Sequence, residues 1–184
     1  MCWFNSHYAR LIVLAGCIAL CNSSCRPGVR NNGGGLKYFD IKGYFAGEIS
    51  RLNRENSPVL KTVKHNGTAQ SKKVSIKNWE QELESFTSAD INKPAWKDSY
   101  TITTGDSITI YKAKEPDLKV REIMIKKTEG KVKWLAIYTR TRNMLYQNIE
   151  KLSYYPDSLY LIEKGQHVRF IGDNNYTIRG LLQK

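Results

Sequence analysis

From Leu36 onward, hydrophobic positions follow first a helical and then a strand period. Tyr38, Ile41, Phe45, Ile49 and Leu52 recur every three or four residues, and Phe39 and Tyr44 broaden the stripe, which predicts a helix over 36–55. Gly43 and Gly47 lie inside it, and each costs about 1 kcal/mol against alanine. That cost predicts a close neighbour on this surface, a sheet in preference to a ligand. Two alternating, β-prone arms then flank Asn66-Gly67, the pair that best tolerates the positive φ of a type I′ turn, so residues 56–79 read as a hairpin. A second helix is predicted over 78–91, with Asn78 as N-cap, Glu80 and Glu82 at the positive helix end, and Trp79, Leu83 and Phe86 on one face.

The last ninety or so residues alternate almost throughout. Eight strands are predicted, "SYTITT", "SITIYKA", "KVREIMIKK", "KVKWLAIYTR", "LYQNIEKLSYY", "LYLIEK", "HVRFIG" and "YTIRGLL". Short turn signals such as Gly105-Asp106, Glu129-Gly130, Pro156-Asp157 and Asp173-Asn174 separate them. Turns this tight join antiparallel neighbours, because parallel pairing needs long crossovers. The expected fold is therefore α+β: a long antiparallel β-meander, as a curved sheet or half-barrel, with two packing helices in a single domain over 36–184.

Several strands are apolar on both sides. In "VKWLAIY", Val132, Trp134, Ala136 and Tyr138 share one face while Leu135 and Ile137 occupy the other. Such a sheet needs cover on both faces or lines a cavity. The two helices account for one face, which leaves the other for a ligand. Trp134, Tyr138, Tyr146 and Tyr154 are the candidate ligand-binding residues, with core packing as the competing use of the same side chains.

The N-terminal segment carries different information. "MCWFNSHYAR" precedes "LIVLAGCIALC", an uninterrupted apolar run of 11 residues, whereas a membrane span needs roughly 20. Its length and order are those of an export signal. All four cysteines fall within the first 25 positions. "NSSC", ending at Cys25, resembles the lipobox of bacterial lipoproteins in the loose form common among Bacteroidota, although Asn22 stands where an aliphatic residue is usual. "LAGC", ending at Cys17, is the alternative, with the shorter hydrophobic lead Leu11 to Val13. An ordinary signal peptide, or a buried N-terminal helix using cysteines as small hydrophobes, are the other readings of the segment.

The lipobox resemblance implies a signal peptide over 1–24, a diacylglycerol thioether on Cys25 and a mature chain with no other cysteine. Such a chain suits an oxidising envelope compartment. "RPGVRNNGGG" then supplies a flexible tether through residue 35. No acidic run follows Cys25, which resembles periplasm-facing outer-membrane lipoproteins more than surface-exposed ones. "INKPAWKDSY", together with the order helix, hairpin, helix, meander, resembles uncharacterised Bacteroidota lipoproteins. The element order also resembles the LolA-like half-barrel carriers, which implies a concave sheet holding an apolar or amphipathic ligand.

Charge and chemistry narrow the function further. The net charge of +12 raises nucleic acid as a partner, but the basic residues are spread through strands and turns, and no nucleic-acid motif occurs. A solvated basic surface, with attraction to anionic lipid or acidic glycan, is the preferred reading, and no nucleic-acid partner is expected. His65 and His167 have no carboxylate or cysteine at metal-ligand spacing in sequence, and no nucleophile or phosphate-loop motif is present. Neither a cofactor nor catalysis is expected. The sequence points to a lipid-anchored envelope protein binding a ligand on its sheet, with an interaction module for protein or glycan as the alternative.

Overall fold

A computed structural model describes residues 35–183. The expected export leader, Cys17, Cys25 and the expected tether before Gly35 lie outside those residues. Among the described residues no helix is long and apolar enough to cross a membrane.

Helix α1 spans Ile41–Glu55 and starts later than its apolar stripe. Asp40 ends the non-helical approach, its carboxylate accepting a hydrogen bond from the Gly43 amide at 2.8 Å. Ile41, Phe45, Ile49 and Leu52 are the buried face, as their spacing requires, and Asn56 closes the helix in the left-handed conformation at φ 43°. Gly43 and Gly47 do not mark close packing by a sheet or a ligand. A Cβ at Gly43 would run into the capping Asp40 carboxylate, whereas a Cβ at Gly47 would face open space.

Strands β1 (Val59–His65) and β2 (Thr68–Val74) form the expected hairpin. Asn66 and Gly67 both take positive φ, at 45° and 96°. The predicted helix 78–91 is instead two short turns, α2 (Trp79–Glu82) and α3 (Glu84–Thr87), interrupted at Leu83. Leu83 leaves the helical region at φ −101°, ψ 12°, and it is buried together with Trp79 and Phe86. A 3₁₀ turn at Pro94–Trp96 follows.

Seven strands complete the chain: β3 (Tyr100–Thr104), β4 (Ile108–Ala113), β5 (Val120–Thr128), β6 (Lys131–Arg142), β7 (Tyr146–Tyr155), β8 (Leu159–Val168) and β9 (Gly172–Leu182). The sheet order is β2-β1-β9-β8-β7-β6-β5-β4-β3, with every neighbouring pair antiparallel. The result is an open α+β meander whose last strand is met by the first hairpin. "HVRFIG" is not a strand of its own: His167 and Val168 finish β8, and Arg169 to Ile171 turn the chain into β9. Asp173 and Asn174, read as a turn from sequence, are paired residues of β9 facing His167 and Gln166.

The helices cover one face. Phe45 lies 5.0 Å from Phe86 and 5.1 Å from Tyr154 between ring centroids, and all three are fully buried. Burying side chains of this size is worth roughly 1.5–3 kcal/mol each. Two tyrosines at directly facing positions, Tyr154 of β7 and Tyr160 of β8, tie this face to both helical segments. Tyr154 donates its hydroxyl hydrogen bond to Glu48 of α1 at 2.6 Å, and Tyr160 donates to Glu82 of α2 at 2.6 Å. Arg51 and Lys61 neutralise the two carboxylates, each at 2.7 Å. The Tyr160 ring lies against Gly180 of β9, where a Cβ would overlap it.

Candidate functional site

The face of the sheet opposite the helices is the uncovered one. Strand alternation assigns its residues: Leu135, Ile137, Leu152, Tyr160 and Ile162 are buried under the helices, so their sequence neighbours point the other way. Cross-strand register then assembles rows that no single strand shows. Glu122, Tyr138, Lys151, Glu163 and Thr177 are successive partners across β5 to β9. One row nearer the end where β6 and β8 finish come Arg140, Ile149, Gly165 and Asn175, followed by Arg142, Gln147, His167 and Asp173.

A depression of about 600 Å³ lies over these rows, bounded by Tyr138, Ile149, Lys151, Glu163, His167 and Thr177. Gly165 lies among them, where the absent side chain leaves room above the strand; a Cβ there would sit 3.3 Å from the Asn175 amide oxygen. Tyr138 and Ile149 supply apolar surface, while Lys151, Glu163, Asn175 and Thr177 supply charge and hydrogen-bonding groups. Volume in this range suits a small-molecule ligand, and the mixed lining matches one with an apolar portion and a polar portion.

Of the four aromatic residues singled out from the sequence, Tyr138 alone lines the depression. Trp134 is on the same face but nearer the other end, half-buried against Tyr155 at 6.3 Å between ring centroids. Its indole N–H is buried without a hydrogen-bond partner. Tyr146, the first residue of β7, falls on the helix side by strand alternation. Tyr154 is wholly inside the core, so it has no surface to offer a ligand; burial and its hydrogen bond to Glu48 raise its hydroxyl pKa well above the usual tyrosine range. The polar residues of the depression were not singled out from the sequence. Each is an ordinary outward strand residue, and only the register across β6 to β9 gathers them.

The two histidines lie on opposite faces. His65 stacks on its cross-strand partner Tyr176 at 4.3 Å and bonds Asn174 at 2.7 Å through Nε2. His167 lies at the rim of the depression with Nδ1 at 2.6 Å from Asp173. Both members of that pair are mostly exposed, and among the described residues no hydroxyl or thiol is bonded to the other ring nitrogen. No group of three His, Cys, Asp or Glu side chains suited to a metal ion occurs among the described residues. Cys25 lies outside them. No family model, curated protein or solved structure matches this chain.

Proposed function

We propose that the chain is a lipid-anchored protein of the cell envelope that binds an amphipathic ligand on the helix-free face of its sheet and catalyses no reaction there. The observation that carries the binding half is the depression itself, a hollow of about 600 Å³ with Gly165 beneath it and a lining that combines Tyr138 and Ile149 with Lys151 and Glu163. A purely apolar ligand would strand those two charges away from water, at a cost that an amphipathic molecule avoids by pairing with them. The anchoring half rests on the apolar leader and on "NSSC" at Cys25. On this reading the domain sits on the outer membrane and faces the periplasm.

Native mass spectrometry of the protein purified from its own host tests the binding half. A co-purifying mass is expected on the parent chain and is expected to be lost from Gly165→Leu, whose side chain fills the hollow. A parent chain that carries nothing refutes it. A second reading, a glycan ligand, is favoured by the amide and hydroxyl groups of Gln147, Asn175 and Thr177 beside the Tyr138 ring. The identity of the co-purifying mass decides between the two.

A further inference from the structure

The turn joining β6 to β7 and the turn joining β8 to β9 stand side by side, linked by a hydrogen bond from the Arg169 amide to the Leu145 carbonyl at 2.9 Å. Four large apolar side chains project from them into water: Met144 is 87% exposed, Leu145 64%, Phe170 92% and Ile171 85%. Single exposed hydrophobes are ordinary, but four together on adjacent turns mark an interaction surface.

The turns are built to hold these side chains out. The Asn143 carboxamide oxygen accepts hydrogen bonds from the Leu145 and Tyr146 amides, both at 2.8 Å, which fixes the first turn. In the second, Phe170 adopts φ 78°, a region that costs a bulky residue of order 1 kcal/mol or more and that glycine enters freely. Among the described residues no packing offsets that strain: the Phe170 ring is solvent-exposed, with the Arg169 guanidinium 5.4 Å from its centroid.

The surroundings are mainly cationic. Arg140, Arg142 and Arg169 flank the apolar cluster, and none of the three forms an ion pair among the described residues. The acidic groups nearby are Asp117, which shares a hollow with Lys119, Arg140 and Arg142, and Asp173, which is held by His167 at 2.6 Å. Apolar tips flanked by unpaired arginines match a bilayer with anionic headgroups, where the apolar groups enter the acyl boundary and the arginines meet phosphate. Lys37 and Tyr38, near the start of the described residues, also lie at this end. Lys37 pairs with Asp98 and Tyr38 donates its hydroxyl hydrogen bond to the Lys97 carbonyl at 2.7 Å, just before β3. Because all neighbouring strands are antiparallel, β3 starts at the end where β4, β6 and β8 finish.

We infer that the paired β6–β7 and β8–β9 turns form a membrane-inserting tip, with Met144, Leu145, Phe170 and Ile171 entering an anionic bilayer and Arg140, Arg142 and Arg169 binding its headgroups. The tip sets the orientation of the domain on the membrane and does not require acylation of Cys25.

Two tryptophan reporters in the full chain test it: Phe170→Trp at the tip and Ile108→Trp at the opposite end of the sheet. Each is mixed with vesicles of brominated phosphatidylcholine, with and without phosphatidylglycerol, and read as emission relative to the parent. Insertion to the headgroup–acyl boundary predicts that the added Phe170→Trp emission falls by about half or more and that the added Ile108→Trp emission does not. Quenching should be stronger with phosphatidylglycerol present. Equal quenching of both reporters, or of neither, overturns the inference. Phe170→Gly is the second variant: it relieves the backbone strain, so its unfolding midpoint should match or exceed the parent's, while quenching of a Met144→Trp reporter weakens. A lower midpoint would make Phe170 a structural residue and overturn the assignment. Sedimentation gives the competing outcome, for a dimer dissolved by Phe170→Gly would make the tip a self-association surface instead. Failure of the anchor reading alone would leave Cys25 unlabelled by fatty acid with the reporter contrast intact.

Discussion

Ionisation of the facing tyrosines Tyr154 and Tyr160 should make this domain sensitive to alkaline unfolding. Both are fully buried, each donates to a carboxylate, and burial first, the carboxylate second, raises both hydroxyl pKa values far above their ordinary value. The unfolded chain loses these protons near pH 10, while the folded chain keeps them. Above that pH the unfolded state binds fewer protons, so unfolding free energy falls as pH rises. The stability contributed is complete below about pH 10 and is lost progressively toward the folded-state values. At one unit above the unfolded value each tyrosine removes about 1.4 kcal/mol, and the pair about 2.8 kcal/mol, a large share of a typical domain's 5–15 kcal/mol.

Tyr154→Phe separates this effect from ordinary packing. At neutral pH it removes one hydrogen bond to a charged group, about 1.5 kcal/mol, near the low end because Arg51 still holds Glu48. Above pH 10 its stability should fall less steeply than the parent's, by about 1.4 kcal/mol per pH unit, and the Tyr154→Phe, Tyr160→Phe double variant by twice that. Urea unfolding followed by circular dichroism from pH 7 to 11.5 measures both quantities, with the high-pH range chosen around the tyrosine value. Lysine titration affects parent and variants alike and cancels in the difference. A Tyr154→Phe variant with the parent's alkaline slope would refute the claim that this hydroxyl stays protonated in the fold.

Other substitutions probe separate parts of the account. Gly180→Ala places a methyl inside the Tyr160 ring and should cost about 1–3 kcal/mol in chemical unfolding; in a Tyr160→Leu background, where the ring is gone, most of that penalty should vanish. Phe45→Ala empties the centre of the aromatic cluster between Phe86 and Tyr154 and should cost about 3–5 kcal/mol by the same measurement. Gly47→Ala goes the other way. The position is helical, exposed and open, so thermal unfolding should show a gain of up to about 1 kcal/mol.

The elements were legible in the sequence where local chemistry and tertiary structure agree. Asn66-Gly67 and Glu129-Gly130 form positive-φ turns that only a few residue types accept cheaply, so they announce their hairpins. Leu135 and Ile137 are buried while Trp134 and Tyr138 are not, the alternation that "VKWLAIY" displays. The misread points have definite causes. Val168 and Phe170 alternate like a strand, but Phe170 bends backward at positive φ, a conformation its side chain gives no reason to expect. The 78–91 segment keeps a helical stripe through Trp79, Leu83 and Phe86, which a continuous helix would bury on one face, so the stripe carries no sign of the interruption at Leu83.

The candidate site was half legible. That one sheet face would lie open follows from having only two helical segments for a sheet apolar on both sides. Which aromatics face that opening depends on strand phase, and Tyr154 shows the limit: "SYY" presents two adjacent tyrosines, of which the structure buries one and leaves Tyr155 at 39% exposure. The Lys151, Glu163 and Thr177 row needed the register of two hairpins, each set by its turn. Shifting one pairing by a residue would send a strand's polar set to the helix side.

A crystal structure of the protein isolated from its own host most directly tests whether the uncovered sheet face is a binding surface. Density for a bound molecule is expected above Gly165, its apolar part toward Tyr138 and Ile149 and its polar part toward Lys151 and Glu163. A hollow holding water alone, or a molecule lodged between the helices and the sheet, would contradict it.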